Sequence, residues 1–165
     1  MLRFRLFLTL IIAGVLTLPL QAATITVADN GADYTSIQAA IDAANNGDEI
    51  IVSPGTYLET INFNGKAITV RSASGDPADT IIDGGGNGSV VTCDSGETST
   101  TVFDGFTITN GSAYDGGGMY NESSSPTVTN CTFSGNTADE EGGGMEHEFS
   151  RSTVTNCTFS GNTSD

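Results

Sequence analysis

The strongest constraint in this sequence is a unit written twice. Gly116 to Glu141 reads GGGMYNESSSPTVTNCTFSGNTADEE, and Gly142 to Asp165 reads GGGMEHEFSRSTVTNCTFSGNTSD. The offset is 26 residues, 18 of 24 comparable positions are identical, and TVTNCTFSGNT recurs unbroken (Thr127 to Thr137, Thr153 to Thr163). A fixed period of this length marks a solenoid, whose units bury their apolar faces only against one another. Composition says which kind. Thr, Ser, Asn and Gly dominate the unit and apolar residues stand two or three apart, which excludes helical repeats with their 3.6-residue stripes. Short strands and tight turns fit instead, with Val128, Cys131 and Phe133 inward, Thr129 and Thr132 outward and Asn130 at a bend. The expected fold is all-β, a parallel β-helix rising by about 4.8 Å per coil.

Such stacking places Val128 on Val154, Cys131 on Cys157, Phe133 on Phe159 and Met119 on Met145. Asn130 with Asn156, and Asn136 with Asn162, form amide ladders in which a side-chain NH2 donates to the neighbouring amide oxygen. The GGGM and TFSGN units resemble the short GGA-I and F-x-x-N motifs of polymorphic outer-membrane protein repeats. More broadly they resemble the right-handed β-helices of the pectin-lyase-like superfamily found on bacterial surfaces. The right hand follows from that resemblance and from the rule for parallel crossovers.

Before the repeat, the chain opens on Arg3 and Arg5, an apolar run from Leu6 to Leu18, and Pro19 followed by the small Ala22 and Ala23. This is the pattern of a secretory leader over residues 1–23, whose apolar run is shorter than the roughly 20 residues of a spanning helix. Cleavage would leave Lys66, Arg71 and Arg151 as the only bases against 20 acidic residues. A chain so acidic has no basic patch to displace counterions from phosphates, so nucleic acid is excluded as a partner. An acidic polysaccharide would be repelled unless a divalent cation bridged it. Secretion to the bacterial outer membrane or beyond, with no membrane-spanning segment after cleavage, is the expected localisation.

Residues 24–49 read as an N-terminal cap. A short strand (Thr24 to Ala28) precedes Thr35-Ser36-Ile37-Gln38, a capping box with Thr35 as N-cap and Gln38 reaching back. Ile37, Ala40, Ile41 and Ala44 then follow at helical spacing, and Gly47 supplies the stop. Such a helix covers the open edge and apolar interior of a first coil. Residues 50–165 are coils. β-rich runs at Ile50 to Val52, Leu58 to Phe63, Ile68 to Val70 and Ile81–Ile82 alternate with Pro-Gly, Asn-Gly and Gly-Asp-Pro turns. Within them Gly55-Thr56-Tyr57-Leu58-Glu59 resembles the G-x-Y-x-E motif of pectin methylesterases and is taken as a fold signature, since the later Gln/Asp motifs and the Asp–Asp–Arg set have no counterpart. Asp104 to Gly111 is a worn coil, with Phe106 and Ile108 standing 25 residues before Cys131 and Phe133. No polar terminal coil or capping helix precedes Asp165, so the reading expects sequence, and any anchor, beyond it.

Four kinds of candidate chemistry follow. Cys131 and Cys157 stack one coil apart, close enough for a disulfide or as two buried thiols serving as small rungs; Cys93 is left over. His147, the single histidine, is expected in solvent, because Glu146 and Glu148 beside it point to the opposite face and no nucleophile elbow supports a Ser-His-acid triad. The 26-residue offset pairs Asp115 with Glu141, Glu122 with Glu148 and Asp139 with Asp165. These are either solvated acids or a ladder holding Ca2+, with Asp115, Glu141, Glu122 and Glu148 as its ligands. Asn-x-Ser/Thr sequons at 87, 110, 121, 130, 156 and 162 follow from composition, and Asn130 and Asn156 are expected to face inward. Two functions compete. One is a non-catalytic secreted or cell-surface stalk, adhesin or carbohydrate-contacting module, with polysaccharide or another cell-surface component as partner. The other is a polysaccharide lyase, hydrolase or esterase whose active residues lie outside this stretch.

Overall fold

The computed structural model describes residues 21–165. The expected leader lies outside them but for its last three residues. The chain winds into a parallel β-solenoid of about five turns with one short helix, Ile37–Ala43. Each turn contributes to up to four faces. The first face is a six-stranded sheet whose strands follow chain order, Thr24–Val27, Glu49–Val52, Thr69–Ser72, Val102–Asp104, Thr127–Thr129 and Thr153–Thr155. A second face has five strands, from Gly55–Leu58 to Thr158–Ser160, a third four, from Ile61–Asn62 to Met145–Glu148, and a fourth three, from Ser112–Ala113 to Thr163–Ser164. All the strand pairs are parallel.

Register follows the period. Val128 pairs with Val154, Phe133 with Phe159 and Met119 with Met145, and the worn coil joins as expected with Ile108 on Phe133. Phe133 and Phe159 stack with ring centroids 4.9 Å apart and planes 5° from parallel. Inward rows run the length of the molecule. One is Ile25, Ile50, Val70, Phe103, Val128 and Val154. Phe103 ties two rows together, stacked on Phe106 at 4.6 Å and edge-on to Phe63 at 6.1 Å.

The corners explain the polar residues of the repeat. Asn130 and Asn156 turn the chain at φ 53° and 54°, in the left-handed region that a short amide side chain tolerates. Their side chains stay at the corner, half-buried and exposed respectively, which corrects the expected inward orientation. The ladder is as read: Asn156 Nδ2 donates to Asn130 Oδ1 at 2.6 Å, and Asn130 Nδ2 to Asp104 Oδ1 at 2.6 Å. Asn136 is the amide that does face inward. It is fully buried, accepts from Gly111 N–H at 2.9 Å, and donates to Ile108 O and to Asn162 Oδ1 at 3.0 Å. The glycine triplets are packed between coils. A Cβ on Gly117 would sit 2.2 Å from Thr137 O, and one on Gly143 2.0 Å from Thr163 O.

The cap is held differently from its expected form. Ser36, not Thr35, is the N-cap, and its side chain accepts from Ala39 N–H at 3.2 Å. Gln38 does not reach back; its amide takes the strand Ile61–Asn62, accepting from Asn62 N–H at 2.7 Å and donating to Asn62 O at 3.2 Å. Its box role falls to Glu59, one coil on. Glu59 accepts from Ile37 N–H (2.8 Å), Gln38 N–H (3.1 Å) and Ser36 O–H (2.8 Å). At the other end Lys66 Nζ donates to Ile41 O, Asp42 O and Ala44 O at 2.7, 2.7 and 2.9 Å. Acid at the helix N-terminus and base at its C-terminus complement the helix dipole. The G-x-Y-x-E motif is thus structural here: Tyr57 O–H closes its turn on Ser53 O at 2.9 Å, and Glu59 docks the helix. Glu59 and Thr60 also divide the expected run Leu58 to Phe63 into two strands, Gly55–Leu58 and Ile61–Asn62.

Candidate ligand-contacting groove

The third face and the turn that follows it carry all but one of the side chains that differ between the two copies. Alternation along Met119–Glu122 and Met145–Glu148 points Met119, Asn121, Met145 and His147 inward and Tyr120, Glu122, Glu146 and Glu148 outward. The preceding turns, Tyr114-Asp115-Gly116 and Glu140-Glu141-Gly142, stack with the same offset. Gly116 is at φ 62° and a Cβ there would meet Met119 O at 2.7 Å. That tight turn brings Asp115 back beside the strand.

Between turn and strand lies a groove of about 250 Å³ lined by Tyr114, Asp115, Glu140, Glu141, Glu146 and Glu148. A second hollow of about 400 Å³, lined by Gly88, Ser89, Ala113, Tyr114, Asp115 and Tyr120, shares two of its residues. Two phenols cross from one coil to the next. Tyr114 O–H donates to Glu140 Oε1 at 2.7 Å, and Tyr120 O–H to Glu148 Oε2 at 2.6 Å. Each bond to a carboxylate pushes its tyrosine's pKa up, so both phenols stay protonated well into the alkaline range. Tyr114 is 63% exposed.

Of the residues expected to form a calcium ladder, Asp115, Glu141 and Glu148 line this groove and Glu122 stands exposed beside it, paired in register with Glu148. The stacked acids are relieved by hydrogen-bond donors. Glu141 N–H donates to Asp115 Oδ1 at 3.1 Å, and Glu148 has Tyr120. Among the described residues, no three His, Cys, Asp or Glu side chains converge in a metal-holding arrangement. Sequence reasoning missed Tyr114, Tyr120, Glu140 and Glu146, although the offset contained them: Tyr114 stands 26 residues before Glu140, and Tyr120 pairs in register with Glu146.

His147 is also placed differently from its expected position in solvent. It stands in the inward row over Asn121, half-buried, with Nε2 3.1 Å from Met145 Sδ. Glu146 and Glu148 point the other way, so no acid orients the ring. Comparison with models of known protein families finds no match, and comparison with curated proteins finds none either. What the architecture itself shows is a parallel β-solenoid, one short helix and, among the described residues, no helix long and apolar enough to cross a membrane.

Proposed function

We propose that this chain is a non-catalytic module of an exported protein, a cell-surface stalk or adhesin whose third face contacts a neutral carbohydrate. The groove at Tyr114 and Tyr120 is the observation that carries this reading. An exposed aromatic ring suits the C–H face of a sugar, and a wall of carboxylate oxygens accepts from its hydroxyls. The same carboxylates repel acidic glycans, so the fitting ligand is uncharged. A rigid solenoid supports such a contact because each ring is held by a donor bond to the next coil.

The test is titration of the purified chain with neutral oligosaccharides, followed by calorimetry and by loss of intrinsic tyrosine signal. Tyr114→Ala should abolish binding while leaving the fold intact. Binding that survives Tyr114→Ala and Tyr120→Phe together would overturn the reading, as would release of cleaved sugar. Calcium on the pairs Asp115–Glu141 and Glu122–Glu148 belongs to the same test. Millimolar Ca2+, with Mg2+ as control, either raises the melting temperature, which would put a cation between the coils, or leaves it unchanged, which would leave those carboxylates to the ligand.

A further inference from the structure

The TVTNCTFSGNT run repeats a cysteine as faithfully as it repeats its core residues, and the solenoid brings the two copies onto one rung. Register is pinned on both sides: Thr129 pairs with Thr155 and Thr132 with Thr158, and Thr158 N–H donates to Cys131 O at 2.9 Å. The two Cα atoms are therefore about one strand spacing apart, roughly 4.8 Å, inside the range of about 4.4–6.8 Å that a disulfide spans. Both are free thiols in this structure. Cys131 is buried, with its sulfur 3.1 Å from Thr129 O, while Cys157 is half-buried, 3.4 Å from Thr155 O. The third thiol, Cys93, is buried on another face, in the row of Asn121 and His147.

We propose that Cys157 and Cys131 form a reversible dithiol site, in which Cys157 is the attacking thiol and Cys131 the resolving one, and whose ligand class is a low-molecular-weight disulfide. The steps balance. The Cys157 thiolate attacks one sulfur of the disulfide, forming a mixed disulfide and expelling one small thiolate. Cys131, losing its proton, then attacks Cys157 Sγ; the inter-coil disulfide forms and the second small thiol leaves. The protein dithiol is oxidised by two electrons and the external disulfide is reduced to two thiols.

Division of roles follows from the surroundings. Cys157, on the last described coil, is half-buried where Cys131 is buried, and the neighbouring Cys131 S–H lowers its thiol to about 6, while burial pushes Cys131 up. Reversibility follows from geometry. Cys131 and Cys157 stand at equivalent corners, each between two strands in parallel register, so their Cα–Cβ vectors run nearly parallel and their Cβ atoms stay near the strand spacing, wider than the roughly 3.8 Å that relaxed disulfides prefer. A bond closed there is strained and easily reduced, as labile rather than structural disulfides are.

The experiment exposes the reduced, full chain to oxidised glutathione and follows it by non-reducing peptide mass mapping. The expected product is a Cys131–Cys157 cross-link lighter by two hydrogens, reopened by reduced glutathione. Cys131→Ala should instead accumulate a glutathione adduct on Cys157, and Cys157→Ala should slow the reaction by roughly tenfold or more. Cys93→Ala should change nothing. Because a core substitution can unfold a coil, each variant is checked by circular dichroism, and the wild-type cross-link is decisive without any variant. A folded wild-type chain that stays in the dithiol form under excess oxidant would overturn the proposal, and so would an adduct that maps to Cys93 or to Cys131 first.

Discussion

The two ends of this solenoid reach one architecture by different means. Toward the helix, successive coils share almost no sequence, and their rows mix Ile, Val, Tyr and Phe of different size. They are locked by single, unrepeated polar groups: Glu59 and Lys66 on the helix, and Glu97, buried to 3% exposure, accepting from Gly65 N–H (2.7 Å), Ser95 N–H (2.9 Å) and Ser124 O–H (2.8 Å) across three coils. In the repeat, identical coils need no such locks. From Thr127 to Thr137 each side chain meets its own copy, and side-chain bonds join equivalent residues, Asn130 with Asn156, Asn136 with Asn162 and Thr137 with Thr163. The lesson is that unlike coils need specific pins, whereas like coils are held by a contact that repetition supplies automatically.

Substitutions can break this contrast, beginning with the largest effect. In the repeat, Gly117→Ala drives a methyl into Thr137 O and should cost more than about 3 kcal/mol, seen as loss of cooperative unfolding. A mild effect there would mean that the coils tolerate spreading and are not in close register. At the helical end, Phe103→Ala removes the ring shared by two rows and should cost about 3–5 kcal/mol in denaturant unfolding. Of the pins, Glu97→Ala leaves three donors without an acceptor and should cost about 3 kcal/mol; a neutral result would show that water replaces the carboxylate and that unlike coils need no lock.

Acidification sharpens the comparison further. Asp48, which accepts from Ala23 N–H at 2.7 Å and Asn45 N–H at 2.8 Å, has its carboxyl held below the ordinary aspartate value, chiefly by the bond from Ala23. A depressed carboxyl stabilises the fold above its unfolded pKa and loses that contribution as pH falls through the folded one. In the full-length chain, which retains Ala23, Asp48→Asn should therefore lower the melting temperature at neutral pH, with the gap to wild type closing below the usual aspartate range of about 4. The smallest effect belongs to the surface pair Arg71–Glu49, 2.7 Å apart with both side chains about a third exposed. Arg71→Met should cost about 0–1 kcal/mol, less at high salt.

Legibility in the sequence divides along the same line. The rungs formed by identical residues, Val128 on Val154, Phe133 on Phe159 and Met119 on Met145, could be read in advance, because a side chain stacked on its own copy needs only the period to locate its partner. The cap could be seen as a helix covering the first coil, but not the bonds that dock it, since Glu59 lies 22 residues from Ile37 in a stretch with no copy to compare. Gln38 looked like half of a local box because it stands three residues after Thr35; the true N-cap is Ser36, only two residues before it, and Asn62 takes the amide instead. His147 was misplaced for a related reason. Its partner across coils is Asn121, and chemically unlike residues hide a shared inward row. The tyrosines escaped in the same way, as donors standing opposite acids.

The left-handed corners at Asn130 and Asn156 have a consequence for how such a chain changes over generations. A coil that begins and ends on the same corner geometry is a self-contained module of heredity. An in-frame duplication of one repeat inserts a rung whose every neighbour is already complementary, so lengthening requires no compensating mutation. Once duplicated, the outward positions are the least constrained by packing, although the inward row has changed as well, from Asn121 to His147. The variable stretch Tyr120 to Pro126 against Glu146 to Ser152 is where that drift has occurred. Length can thus be selected separately from specificity, the first by copying coils and the second by varying one wall.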